Sequence, residues 1–218
     1  MIVCALIAQN GLGGMCPVMM RMKKSAQLLK EPRTLAVSGI LIALSVVLGV
    51  CRIQVTPELQ VNFGFTAMAV IAMLFGPAVS VPAAIVCDVL SLLLNPMGSY
   101  FFGFTITAML SSLIFSLFLF DREAPRHDRE YNLGHGKDPL GRDNRSLLIR
   151  AFCAKTLINL FCNVLLNSFW LTLYYGQSMK VLLPARILKN AILLVPEVVV
   201  LFFALKAARY AWQQIARR

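Results

Sequence analysis

Asn159, Asn163, Asn167, Trp170 and Tyr174 recur at spacings of four, four, three and four inside an otherwise apolar stretch. That spacing puts all five on one face of an α-helix. Amides and aromatic rings on one face can hydrogen-bond the edge of a flat heterocycle and stack on its faces. Amides also hold membrane helices to each other, but the continuation of the stripe into Trp170 and Tyr174 favours binding. Further on, Arg186, Lys189 and Asn190 open another apolar run that later carries Pro196-Glu197. Arg186, Asn190 and Glu197, spaced by four and seven, share a face. A lone cation at a helix end commonly only snorkels; two cations beside an amide and a tryptophan suit capture of an anionic, flat ligand. Asp88 stands in an earlier apolar run, about 16 Å along a helix that starts at Pro77. A carboxylate at that depth needs a partner, which is either a structural cation or hydroxyl, or the donor edge of a ligand.

The chain has no GxxxxGK[ST] phosphate loop, so it is not itself an ATPase, and no Ser/His/Asp or Cys/His constellation suited to hydrolysis. His127 and His135 fall in one polar loop without metal-ligand spacing and read as solvated residues. Cys4, Cys16, Cys51, Cys87, Cys153 and Cys162 form no CxxC pair, and four of them sit in or beside apolar segments as small packing groups. No catalysis, metal or cofactor is expected.

These residues must be positioned by membrane helices. Of 218 residues, 58% are apolar and only 14% charged, and the mean hydropathy is +0.72, far outside the range of soluble domains. Apolar runs cover residues 35–51, 63–94, 100–120, 147–175 and 183–208. The second is too long for one crossing and is broken at Gly76-Pro77, which predicts two helices joined by a tight turn and six spans in all. Sixteen of the 21 basic residues form three clusters, over 21–33, 122–150 and 206–218. An even number of spans puts all three on one side, so both termini are expected in the cytoplasm. The net charge of +11 therefore lies between spans and marks topology, not nucleic-acid binding. The fold class is all-α and polytopic. A basic leader over 1–33, expected to be poorly ordered, precedes a transmembrane substrate-binding domain over 34–210 with a cytoplasmic loop at 121–146, and a basic tail covers 211–218. Weak resemblance of residues 1–20 to a signal peptide leaves a later start at Met19, Met20 or Met22 open.

Two stripes of small residues allow close helix approach: Ala36, Gly39 and Ala43, and Gly103, Thr107 and Ser111. Spacing alone does not say whether they pack within the chain or against a partner.

Several segments, taken in order, resemble the folate family of substrate-binding S components of energy-coupling factor (ECF) transporters. The most specific is Leu183-Pro184-Ala185-Arg186-Ile187-Leu188-Lys189-Asn190 followed by Pro196-Glu197, similar to the family's Arg-x-x-Lys-Asn motif. Asn62-Phe63-Gly64-Phe65, Phe75-Gly76-Pro77, Asp88, Gly103-Phe104-Thr105 and Asn167-Ser168-Phe169-Trp170-Leu171 support it. The family often has a basic residue just before the Phe-Gly-Phe segment, where this chain has Gln60. The resemblance implies a six-helix bundle in the cell membrane that binds its vitamin from outside and docks on a transmembrane coupling protein attached to two ATPases. Ala36, Gly39 and Ala43 match the docking residues of the first helix. For folate, the resemblance implies Asp88, Asn163 or Asn167 at the pterin edge, with Thr105 and Asn190 also in the site. Phe104 and Trp170 would stack on the rings, and Arg186 and Lys189 would face the glutamate carboxylates. The alternatives are an S component for another vitamin or heterocycle, such as riboflavin, pantothenate or a queuosine precursor, and a membrane scaffold of the cell-shape type. In a scaffold the Asn stripe would be interhelical glue. A membrane-embedded enzyme is least supported, for want of paired catalytic groups.

Overall fold

The computed structural model describes residues 25–26, 31–50, 53–54, 60–94, 102–120, 140–175 and 179–216. Helix α1 (Pro32–Val50) leads into a two-residue antiparallel ribbon, β1 (Ile53–Gln54) and β2 (Gln60–Val61), with Ile53 opposite Val61 and Gln54 opposite Gln60. Then come α2 (Gly64–Phe75), α3 (Pro77–Leu94) and α4 (Phe102–Leu119). Helix α5 (Leu140–Leu157) continues without a break through a π-helical stretch (Ile158–Leu166) into α6 (Asn167–Tyr175), and α7 (Met179–Ala216) closes the chain. Five of these rods are long and apolar enough to cross a membrane; α2 is a shorter apolar helix of 12 residues.

The shortest helix is the centre of the bundle. Helix α2 touches α1, α3, α4 and α7, and its residues Ala67, Ala69, Val70, Ile71, Ala72, Met73 and Phe75 are buried. Around it pack Phe115 and Leu119 of α4, Leu147, Ala151 and Ala154 of α5, and Leu201 and Leu205 of α7. The outer rods instead turn Ile40, Val47, Leu93, Val195 and Phe203 outward, the arrangement expected when the surrounding solvent is lipid. Helix α1 comes close to α2 because Gly64 has no side chain: a β-carbon there would stand 2.7 Å from the Ser45 carbonyl oxygen. Ser45 Oγ donates to the Gly64 carbonyl at 2.8 Å, and the Gly64 N–H donates to Asn62 Oδ1 at 2.8 Å.

The break between α2 and α3 falls where the Gly-Pro pair predicts it. Gly76 has φ 77°, which L side chains rarely adopt, and its Cβ position would lie 3.0 Å from the Phe120 ring. Ser25 closes this turn, donating to the Phe75 carbonyl at 2.5 Å and accepting from the Ala78 N–H at 2.9 Å. The Phe75 and Trp212 rings meet edge-on at 5.5 Å. A piece of the N-terminal segment, the α2–α3 turn, the end of α4 and the end of α7 therefore gather on one side. The three basic clusters adjoin these same ends, which assigns that side to the cytoplasm.

Three boundaries differ from the sequence expectation. Ser25, within the leader, is fully buried in the turn. Helix α7 is 38 residues long, beginning before Pro184 and passing through Pro196; in membrane bundles neighbouring groups re-satisfy the backbone that proline frees. Its far end outruns the apolar stretch: residues 211–216 continue the helix, with Trp212 edge-on to Phe75. Residues 1–24 and 121–139, with His127 and His135, and Cys4, Cys16 and Cys51, lie outside the described residues.

Candidate substrate-binding site

A chain of polar contacts runs through the bundle. Lys155 Nζ of α5 lies 3.4 Å from Glu197 Oε2 of α7, with the two side chains 4% and 12% exposed. The same ammonium sits 3.4 Å from the centroid of the Phe65 ring on α2, a favourable place for a desolvated cation. Asn159 Nδ2 donates to Glu197 Oε2 at 3.2 Å, and Asn163 Nδ2 donates to Asn159 Oδ1 at 2.8 Å. Arg186 Nη1 then donates to the Asn163 carbonyl at 3.3 Å. A buried charge left alone in such a bundle is strongly destabilising, and here each ion has the other.

The π-helical stretch changes the asparagine stripe. The Asn167 N–H bonds the Cys162 carbonyl, five residues back, so the wider turn replaces the α spacing over Asn159 and Asn163. Those two amides are committed to each other and to Glu197. Asn167 Oδ1, one step beyond, is buried with no hydrogen-bond partner among the described residues. A buried acceptor without a donor is uncommon in folded proteins. Trp170 is half-buried, its indole edge-on to Phe169 at 5.3 Å. The Tyr174 side chain lies outside the described residues. Lys189 and Asn190, about one turn beyond Arg186, are half-buried.

Asp88 and Thr105 come together elsewhere. Thr105 Oγ1 on α4 donates to Asp88 Oδ2 on α3 at 2.6 Å, so a structural hydroxyl partners Asp88 among the described residues. Phe104 is half-buried beside it. Helix α4 contacts α3 as well as the π-helical stretch and α6, so it stands between the Asp88 group and the Asn167 group. On the same helix, Thr107 and Ser111 return their hydroxyls to Gly103 and Thr107 carbonyls of their own helix, at 3.0 and 2.8 Å. Ala36, Gly39 and Ala43 are exposed, and a β-carbon at Gly39 would meet nothing within 4 Å. That face of α1 packs on no other part of the described chain.

Lys155 is the functional residue that the asparagine spacing did not include. The signal was present: a further step of four back from Asn159 lands on Lys155.

Six apolar rods joined by a chain of polar contacts across α5, the π-helical stretch and α7 define a membrane-embedded binding subunit, multi-pass in the cell membrane. The chain belongs to the family described as ECF transporter, substrate-specific component, whose model matches residues 33–211. It is 33% identical over 182 residues to the folate transporter FolT of Leuconostoc mesenteroides, covering 80% of this chain and 85% of that one. With the folate transporter FolT of Clostridium novyi it shares 27% identity over 151 residues, 69% of this chain and 75% of the relative. A solved structure, the crystal structure of FolT bound with folic acid, matches with a TM-score of 0.62 and 26% identity, covering 79% of this chain and 92% of that one.

Proposed function

We propose that this subunit captures folate at the outer side of the membrane and hands it to an ATP-driven import complex. The observation that carries the reading is the bond from the Arg186 guanidinium to the Asn163 carbonyl, four residues before the unpartnered Asn167 acceptor, inside a bundle that matches folate transporters by sequence and by fold. In this assignment Arg186 and Lys189 meet the glutamate carboxylates, where paired hydrogen bonds to charged groups are strong. Phe104 and Trp170 stack on the rings, and Asn167 meets the pterin edge. Asp88, Thr105 and Asn190 line the same interior. Ala36, Gly39 and Ala43 form the docking face for the transmembrane coupling protein, which their exposure supports. ATP hydrolysis belongs to two partner ATPases, and no catalytic step is assigned to this chain.

Vesicles carrying this subunit with the coupling protein and both ATPases should accumulate labelled folate only with ATP inside. Accumulation of another vitamin in preference to folate would replace the substrate and keep the architecture.

A further inference from the structure

Both contacts of Glu197 go to one carboxylate oxygen. Lys155 Nζ and Asn159 Nδ2 hold Oε2, while Oε1 has no partner among the described residues. Glu197 lies on the inward face of α7, four residues from Leu193 and four from Leu201, both buried. It nevertheless keeps 12% of its side chain exposed.

The carboxylate also fixes the direction of the amide chain. An ionised Glu only accepts, so Asn159 must turn its NH2 toward Glu197 and its Oδ1 toward Asn163. Asn163 must then turn its own NH2 back to Asn159, leaving its Oδ1 as the last acceptor of the chain. With the buried, unpartnered Asn167 Oδ1, the interior presents acceptors to whatever enters. Such a wall fits a ring edge rich in N–H groups and disfavours one that presents a carbonyl in the same place.

We propose that Glu197 is the residue that reads the head group of the ligand. Its Oε1 accepts the adjacent N3–H and 2-amino N–H donors of a 2-amino-4-oxo pyrimidine ring, with Lys155 as the positioning cation that holds the carboxylate in place. This rests on the folate reading above and adds to it the residue that distinguishes a pterin from its 2-oxo counterpart.

The test compares equilibrium affinity for folic acid with that for the analogue carrying oxygen in place of the 2-amino group, using the full-length protein in detergent. A lost hydrogen bond to a charged group predicts that the native protein prefers folic acid by about 10- to 100-fold. Glu197→Gln should lose most of that preference. Because it leaves Lys155 unpaired, the double variant Lys155→Met/Glu197→Met, which removes both charges at similar volume, is measured beside it. It should bind the two compounds within about threefold of each other, a residual of under 1 kcal/mol. Native protein that binds folic acid tightly but does not discriminate, or variants that keep the full preference, would overturn the Glu197 assignment and leave the folate reading standing. Native protein that is folded and binds neither compound would overturn both.

Discussion

Lys155 and Glu197 face each other across the centre of the bundle, 3.4 Å apart, with the Phe65 ring beneath the ammonium and Asn159 sharing the same carboxylate oxygen. The pair joins α5, α7 and α2, three of the elements whose buried residues meet in the main core. Its stability consequence is asymmetric. Removing one member strands a buried charge, at a cost of about 3–5 kcal/mol, whereas replacing both by apolar residues of similar volume is often neutral. Lys155→Met should therefore melt well below the native protein in detergent, and Lys155→Met/Glu197→Met should recover most of the loss. Equal melting of the single and double variants would show that the pair is not coupled.

Arg186 reaches the Asn163 carbonyl from α7, and in the proposed complex it also meets the ligand's carboxylate. Arg186→Ala should weaken folate binding by about 10- to 100-fold, the worth of a hydrogen bond between charged groups. It should weaken binding of a folate fragment without the glutamate much less. Titration of both compounds checks this, and unchanged folate affinity would remove Arg186 from the site.

Gly64 and Gly39 stand on facing and outward sides of the α1–α2 pair and should respond oppositely. A methyl at Gly64 meets the Ser45 backbone oxygen at 2.7 Å, which cannot move without shifting α1. Overpacking of this kind costs about 1–3 kcal/mol. A methyl at Gly39 meets nothing within 4 Å, and Ala in place of Gly in a helix is favourable by up to about 1 kcal/mol. Melting curves of Gly64→Ala and Gly39→Ala should shift down and stay level or rise, respectively.

The exposed face of Ala36, Gly39 and Ala43 makes a separate prediction. Gly39→Trp places a large ring on that face without entering the core. The variant should still be stabilised by folate but should fail to co-purify with the coupling protein. Co-purification at the native level would move the docking surface elsewhere.

Much of this was legible in the chain because membrane solvent simplifies the code. Apolar runs gave the rods, Gly76-Pro77 gave the break at φ 77°, and the basic clusters gave the shared side. The stripe of Asn159, Asn163 and Asn167 marks the helix that carries the polar chain, though not its local winding. Apolar periodicity does not distinguish an α-helix from the five-residue hydrogen bonding of Ile158–Leu166, so the winding of this stretch is visible only in the structure. Lys155 was illegible as a partner because its mate, Glu197, lies 42 residues away on another helix; sequence shows each charge but not the meeting. Likewise Asp88 announced a need for a partner, and only the packing of α3 on α4 supplies Thr105.

The central claim is that the interior of this bundle holds folate. Isothermal titration of folic acid into the purified full-length protein tests it most directly, with a thermal melt of the same sample showing that it is folded. One saturable site per chain is expected, with a stabilisation of about 2.7 kcal/mol when free ligand reaches 100 times the dissociation constant. Folded protein that takes up no folic acid, and saturates with riboflavin, pantothenate or a queuosine precursor instead, would contradict it.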